Sequence, residues 1–286
     1  FKSTIIRMHL FSIWIKKFRE KLEMYTEKDF LNRRVATISA YVSATQSLQN
    51  IYPFCKNPIE YFYKTNIEND LVEKNKFQKD LLIYLENIDS VWEPSSQTTR
   101  KGFQTTGNLF EKDKFEIKSL IKIIKKTIIL YKKRFSNSKD LIIKKWPSKS
   151  NLNAWYVKLI QQGYQNSHIH PDGWISGVFY LKVPPQVSEV NEEGSLNFHH
   201  AENGYVDLNP LESIRPKGYD MVIPNVGKFL IFPAWLKHSA SPFFGPGIRR
   251  AVSFNLVCPE ASKWTHTHTK EPFPRRQFEQ SLKIDT

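Results

Sequence analysis

The feature that most constrains this sequence is a set of polar residues that lie far apart along the chain. His168, His170 and Asp172 occupy alternate positions, His238 lies much later, and Arg249 follows it. Side chains so distant in sequence can reach one ligand only when two separate segments fold against each other. The pattern therefore predicts a fold in which the segment around residue 170 faces the segment around residue 238.

The spacing of the first group predicts a metal site. In an extended segment alternate side chains project from one face, so His168, His170 and Asp172 would point the same way. Pro171 favours that geometry, because the residue before a proline avoids the helical region. Two histidines and one carboxylate cover one face of Fe(II) and leave positions open for O₂ and a co-substrate. We expect His170, Asp172 and His238 to bind the metal, with His168 as the alternative to Asp172.

Arg249 predicts the nature of the co-substrate. On a strand that begins at this residue, Arg249 and Ser253 share one face, whereas Arg250 lies on the other. A guanidinium group that points into a core must be paired, because burying it alone is costly. A carboxylate satisfies it with two hydrogen bonds. We therefore expect Arg249, with Ser253 beside it, to bind a dicarboxylate co-substrate; the alternative is an internal salt bridge.

The first half of the chain predicts helices. Apolar side chains recur every three or four residues over 6–22 and 77–88, which is typical of helices with one buried face. A third helix is predicted over 113–131, where Asp113 and Glu116 have the spacing of a capping pair.

The second half predicts strands. The stretch 92–107 is rich in Gly, Ser, Thr and Pro and predicts a long, functional loop, and 146–148 marks the change from helices to strands. Short runs rich in Val, Ile, Phe and Tyr follow at 155–160, 174–183, 195–199, 228–232 and 249–257. Strands without intervening helices favour a sandwich, jelly roll or barrel over a parallel sheet.

Charge and cysteine content limit the expected partners and cellular location of the protein. The net charge is +14, but residues 1–150 hold 29 Lys and Arg against 16 Asp and Glu, whereas residues 151–286 hold 13 against 12. Nucleic acid is therefore not expected at the predicted site. Two cysteines are too few for a disulfide framework, and no uncharged apolar run is long enough for a membrane span, so we expect a cytoplasmic, intracellular protein. Because the chain starts at Phe1, we interpret it as part of a longer precursor.

Several ordered stretches resemble the iron(II)/2-oxoglutarate-dependent dioxygenase superfamily, and within it the 2OG-Fe(II) oxygenases found alone or fused to tetratricopeptide-type repeats. The matching stretches are 92–94, 102–110, 168–184, 194–198, 227–238 and 249–255. The resemblance implies an α+β fold with a double-stranded β-helix (jelly-roll) core, flanking helices and an N-terminal helical segment. It also implies Fe(II) and 2-oxoglutarate as cofactors, with His238 as the distal ligand, Arg249 holding the far carboxylate of 2-oxoglutarate and Tyr180 assisting it.

This resemblance also implies a domain division and an activity. We expect an N-terminal helical segment over 1–50 and an oxygenase domain over 51–286. Within that domain, 51–150 would be helical, 151–258 the jelly roll and 259–286 a tail. The expected activity is hydroxylation of a small molecule or peptide with release of succinate and CO₂. The alternatives are a non-catalytic jelly roll whose basic helical half docks an acidic partner, and a metalloenzyme that does not use 2-oxoglutarate.

Overall fold

The computed structural model describes residues 2–46, 48–66, 74–187, 192–199 and 219–258. The α-helices in these ranges are α1 (Lys2–Lys28), α2 (Arg33–Thr45), α3 (Lys74–Glu86), α4 (Phe115–Arg134) and α5 (Leu141–Lys144). Short 3-10 helices span Pro58–Tyr61 and Leu109–Glu111. The strands are β1 (Tyr63–Asn66), β2 (Val91–Trp92), β3 (Thr99–Gln104), β4 (Asn151–His168), β5 (Gly173–Lys182), β6 (Leu196–His199), β7 (Tyr219–Val222), β8 (Lys228–Pro233), β9 (His238–Ala240) and β10 (Arg249–Val257).

The strands form one curled antiparallel sheet in the order β1-β8-β5-β10-β4-β9-β6-β7, with β3 also paired to β4 and β2 to β3. Strand β4 is 18 residues long, so its first part pairs with β10 and its end pairs with β9. Gln162, at φ +63°, interrupts the regular backbone between these two parts. A Cβ on Gly163 would lie 2.5 Å from Lys101 O, so this close approach requires glycine. The predicted mixture of helices and antiparallel strands is confirmed.

Alternating side chains divide the core between two faces of the sheet. On one face, Tyr156, Phe179 and Val252 pack in a cluster that also contains Leu81 of α3 and Leu120 of α4. The opposite face buries a second cluster of side chains from β5, β6, β8, β10 and the turn after β8. Its members are Val178, Tyr180, Leu196, Phe198, Leu230, Phe232, Leu236 and Ala251. Because both faces of β5 are buried up to Leu181, its sequence is mostly apolar instead of alternating.

The three predicted helices are confirmed as α1, α3 and α4, but the predicted capping pair is wrong. Helix α4 begins after Lys114, which makes no side-chain capping bond. Asp113 forms an ion pair with Lys118 instead. Helix α2 was not predicted, although Asn32 caps it with its side-chain oxygen. No helix in the described ranges is both long and apolar enough to cross a bilayer.

The five strand-like runs are confirmed as β4, β5, β6, β8 and β10, whereas the long loop predicted over 92–107 is wrong. That stretch contains the end of β2 and all of β3, which pairs with β4. A Cβ on Gly102 would lie 2.7 Å from Lys158 O, so this glycine serves a close strand contact and does not mark a loop. Strands β1, β7 and β9 are only three or four residues long and gave no sequence signal.

Gly177 in β5 gives a test of this packing. A Cβ there would lie 2.2 Å from Cζ of Phe254 on the paired strand β10, so Gly177→Ala should lower the free energy of unfolding by about 1–3 kcal/mol. Combining it with Phe254→Leu should cost less than the sum of the two single changes, because the smaller side chain makes room. Urea unfolding measures both effects. An unchanged stability of Gly177→Ala would contradict the packing.

Candidate metal centre

Three histidines from the sheet and its loops lie together. One ligand atom from each of His168, His170 and His238 lies within 4.8 Å of the other two. The ring centroids are 4.3 Å apart for His168 and His238, 4.8 Å for His168 and His170, and 5.2 Å for His170 and His238. These distances let three nitrogens face one small cation.

The strand register produces this arrangement. His168, the last residue of β4, pairs directly with His238, the first residue of β9. His170 follows in the loop, where its backbone N–H donates a hydrogen bond of 2.8 Å to Ala234 O. The loop after β4 and the turn before β9 are therefore bound to each other as well as to their strands.

Hydrogen bonds orient two of the rings. Nδ1 of His168 lies 2.6 Å from Asn166 O, and Nδ1 of His238 lies 2.8 Å from Leu236 O. Because a carbonyl oxygen only accepts, each Nδ1 carries the proton and donates it. Nε2 of each ring is then the unprotonated nitrogen, which is the form that binds a metal.

Burial keeps the three imidazoles neutral. It lowers the pKa of His170 to about 3 and the pKa of His238 well below the usual 6.5, and in both cases neighbouring histidine rings add to the shift. Burial also lowers the pKa of His168, and the hydrogen bond to Asn166 opposes this. Near neutral pH the cluster therefore offers nitrogen lone pairs and carries no charge of its own.

Asp172 lies away from this cluster. The expectation that 168–172 is fully extended is wrong, because Gly173 N donates a 3.0 Å hydrogen bond to His170 O and closes a turn over Pro171 and Asp172. Asp172 is exposed and does not belong to the group of three histidines. Its carboxylate interacts with the buried guanidinium of Arg33 in α2.

The residues expected to bind the co-substrate line one cavity with the histidines. Arg249, Tyr180 and Ser253 lie on its wall together with all three imidazoles. The register of β10 explains this, because Arg249 and Ser253 point inward. Arg250 points to the opposite face and forms a 2.5 Å ion pair with Glu86.

The buried guanidinium of Arg249 and the buried phenol of Tyr180 have polar atoms that could bind a ligand. Arg249 is 4% exposed, and its Nη1 donates to Gly194 O. In the part of the chain that the structure describes, no carboxylate pairs with it, so the internal salt bridge considered above is not found there. The Tyr180 hydroxyl is fully buried and has no hydrogen-bond partner among the described residues, and the Arg249 guanidinium lies 5.7 Å from its ring centroid. Such groups fit a carboxylate ligand.

Some residues of the site carried no sequence signal. Trp155 lines the cavity and lies 5.3 Å from the His170 ring, and Ser176 donates to Asn255 with an O–O distance of 2.6 Å on the cavity wall. The inward position of Asn255 follows from strand alternation, but its partner does not. The contact between Arg33 and the loop after β4 was not predicted from the sequence either, because Arg33 lies more than a hundred residues before that loop.

The neutral histidines predict a pH dependence of stability in the metal-free protein. In the unfolded chain His238 gains a proton below its usual pKa of 6.5, whereas the folded protein resists that proton, so acid favours unfolding. Between about pH 7.5 and about pH 5.5, the loss should be about 1 kcal/mol for each fully buried histidine. Urea unfolding at the two pH values measures it. His238→Gln should show a smaller loss, and an identical loss in both proteins would contradict a buried neutral imidazole.

Comparison with known proteins gives one family match and several distant structural likenesses. Residues 153–255 match a family model described as "Putative 2OG-Fe(II) oxygenase", whereas no curated protein matches the chain. Among solved structures, the chain is similar to a prolyl hydroxylase from Trichoplax adhaerens, with 13% identity, coverage of 82% of this chain and 94% of that one, and a TM-score of 0.48. Viral collagen prolyl hydroxylase from Paramecium Bursaria Chlorella virus-1 is 16% identical, with coverage of 69% of this chain and 96% of that one and a TM-score of 0.42. HygX from Streptomyces hygroscopicus is 12% identical, with coverage of 69% of this chain and 83% of that one and a TM-score of 0.43.

These likenesses to solved structures are too distant to assign residue roles. The family match is independent of them and covers β4 to β10, with all three histidines, Tyr180 and Arg249 inside it. The association with tetratricopeptide-type repeats stays a prediction. Residues 153–255 thus match the model of a 2OG-Fe(II) oxygenase family, the family that the sequence motifs resemble.

Proposed function

We propose that the protein is an Fe(II)- and 2-oxoglutarate-dependent dioxygenase that hydroxylates a small molecule or peptide, and that His168, His170 and His238 bind its iron. One observation carries the proposal. The three imidazoles share a single cavity with the buried Arg249 and Tyr180, so metal ligands and a carboxylate-binding pair face the same space. The curled sheet around this cavity supports a double-stranded β-helix of the jelly-roll kind.

The geometry favours His168 over Asp172 as the third ligand. His168 lies beside His238 in the sheet, whereas Asp172 is exposed and lies outside the group of three ligand atoms. Three neutral imidazoles leave the full charge of Fe(II) uncompensated, unlike a site with two histidines and one carboxylate. A dianionic co-substrate would then supply the missing negative charge, and the remaining coordination positions stay open on the cavity side.

Arg249 and Tyr180 are the residues we assign to the far carboxylate of 2-oxoglutarate. Burial and the absence of a paired acid leave Arg249 able to offer further N–H groups. Burial also raises the pKa of Tyr180, so its phenol stays protonated and can donate. Ser253 lies on the same wall and could add a hydroxyl. Because Arg249 is fixed by Gly194 O, the co-substrate would be oriented along the cavity.

In such a centre, Fe(II) would supply the oxidation chemistry. O₂ oxidises both 2-oxoglutarate, which yields succinate and CO₂, and a substrate C–H bond, which yields an alcohol. The protein's share is binding, orientation and exclusion of water. Val178, Leu196 and Phe232 form an apolar wall of the cavity, and all three are buried. An apolar lining limits water near the metal and strengthens the charge interactions of Arg249.

The ligand set is tested by paired variants. His168→Ala should abolish stoichiometric Fe(II) binding and 2-oxoglutarate turnover, because it leaves only two of the three ligands. Asp172→Ala should retain both, because its carboxylate lies outside the cluster. Anaerobic Fe(II) titration and succinate assays measure the two properties. The reverse result would favour His170, Asp172 and His238 as the ligands.

The co-substrate site is tested by the two neighbouring arginines. Arg249→Gln should raise the KM for 2-oxoglutarate by about tenfold or more, because hydrogen bonds to charged groups contribute about 1.5–3 kcal/mol. Arg250→Gln is the matched control, since it removes an adjacent guanidinium from the opposite face and should leave this KM unchanged. Tyr180→Phe should have a smaller effect of the same sign. Full activity of Arg249→Gln would instead favour a metalloenzyme that does not use 2-oxoglutarate.

A further inference from the structure

The first two turns of helix α2 contact both segments that carry the histidines. The helix begins at Arg33, after Asn32, whose side-chain oxygen accepts hydrogen bonds of 3.1 Å from Arg34 N and 3.2 Å from Val35 N. It precedes the family match over 153–255 by more than a hundred residues. Its contacts with the metal centre are therefore a property of this chain that the match does not cover.

Arg33 binds the loop that carries His170. The side chain is 1% exposed, and its Nε donates to Pro171 O, the carbonyl next to that histidine. Burial lowers the pKa of Arg33, and Cys258, Asp172 and Asp29 oppose the shift, so the two carboxylates compensate its charge. A buried guanidinium that donates to Pro171 O fixes the loop.

Thr37, one turn further along α2, binds the segment that precedes His238. Its Oγ1 lies 2.9 Å from Trp235 O and 2.9 Å from Arg33 O. The single hydroxyl proton is shared between these two carbonyls. Trp235 is fully buried, so water cannot replace this contact easily.

The two contacted segments are the ones that orient the imidazoles. Ala234 O accepts from His170 N at 2.8 Å, and Leu236 O accepts from His238 Nδ1 at 2.8 Å. Trp235, bound by Thr37, lies between these two carbonyls in the sequence. A shift of α2 would therefore move both partners of the histidines.

We propose that Arg33 and Thr37 are positioning residues of the metal centre, through which the first two turns of α2 fix the loop of His170 and the turn before His238. The proposal rests on the proposed function in taking the three histidines as metal ligands. It makes α2, which we assigned to the N-terminal segment, a part of the functional site.

The experiment measures the dissociation constant of Co(II), a spectroscopically visible substitute for Fe(II), by titrating the full chain and following visible absorption. Two variants remove the proposed contacts, Arg33→Gln and Thr37→Val. Each variant has a matched control that removes the same kind of group elsewhere in the chain. Arg34→Gln removes the adjacent, exposed guanidinium. Thr26→Val removes a hydroxyl whose 2.8 Å bond goes only to Leu22 O within α1.

Arg33→Gln should raise the Co(II) dissociation constant by about 10- to 100-fold, as expected when groups that orient metal ligands are lost. Thr37→Val should raise it by about two- to tenfold, the effect of one neutral hydrogen bond. Both controls should bind as the wild type does. Arg33→Lys should recover part of the affinity, because an ammonium group can still donate to Pro171 O.

Urea unfolding of the variants and the behaviour of the wild type distinguish the possible reasons for a negative result. Urea unfolding of the metal-free proteins distinguishes a general loss of stability from a loss of metal affinity, and we expect Thr37→Val and Thr26→Val to unfold alike. Equal Co(II) affinity of these two threonine variants would overturn the proposal, even if Arg33→Gln does not fold. Failure of the wild type to bind Co(II) or to turn over 2-oxoglutarate would overturn the proposed function itself.

Discussion

The register between strands β4 and β9 is the constraint on which the site depends. It places His168 directly opposite His238, and the loop that follows β4 adds His170. Because side chains alternate between faces, a slip of one residue would turn one of the paired imidazoles out of the cavity. The long, interrupted strand β4 makes this pairing possible, since its first part belongs to the helix-covered region of the sheet and its end reaches β9.

Charge is distributed in a way that suits an anionic ligand. The histidines are neutral, and Arg249 is the cation on the same cavity wall. The candidate acid Asp172 is exposed and is not among the residues that line the cavity. Burying Arg249 costs free energy that a carboxylate ligand would offset. A site that holds Fe(II) and Arg249, with no carboxylate among the described residues of its wall, would therefore favour a dianion such as 2-oxoglutarate.

The sequence predicted the parts of the fold and site that follow from periodicity. Alternation along β10 separated Arg249 from Arg250, and the long apolar runs located the main strands. Alternation could not choose between His168 and Asp172, because it assumed an extended backbone where the chain turns after His170. Contacts between distant segments, such as Arg33 with Pro171, leave no local pattern and needed the folded structure. The capping pair failed because Asp113 pairs with Lys118 and helix α4 begins one residue later than the spacing implied.

The most direct test of the central claim is an anaerobic titration of the wild-type protein with Fe(II), with and without 2-oxoglutarate, followed by succinate detection after air is admitted. We expect one Fe(II) per chain, tighter binding of 2-oxoglutarate when Fe(II) is present, and succinate formation that requires the metal and O₂. Stoichiometric Fe(II) binding without any effect of 2-oxoglutarate and without succinate would contradict the account.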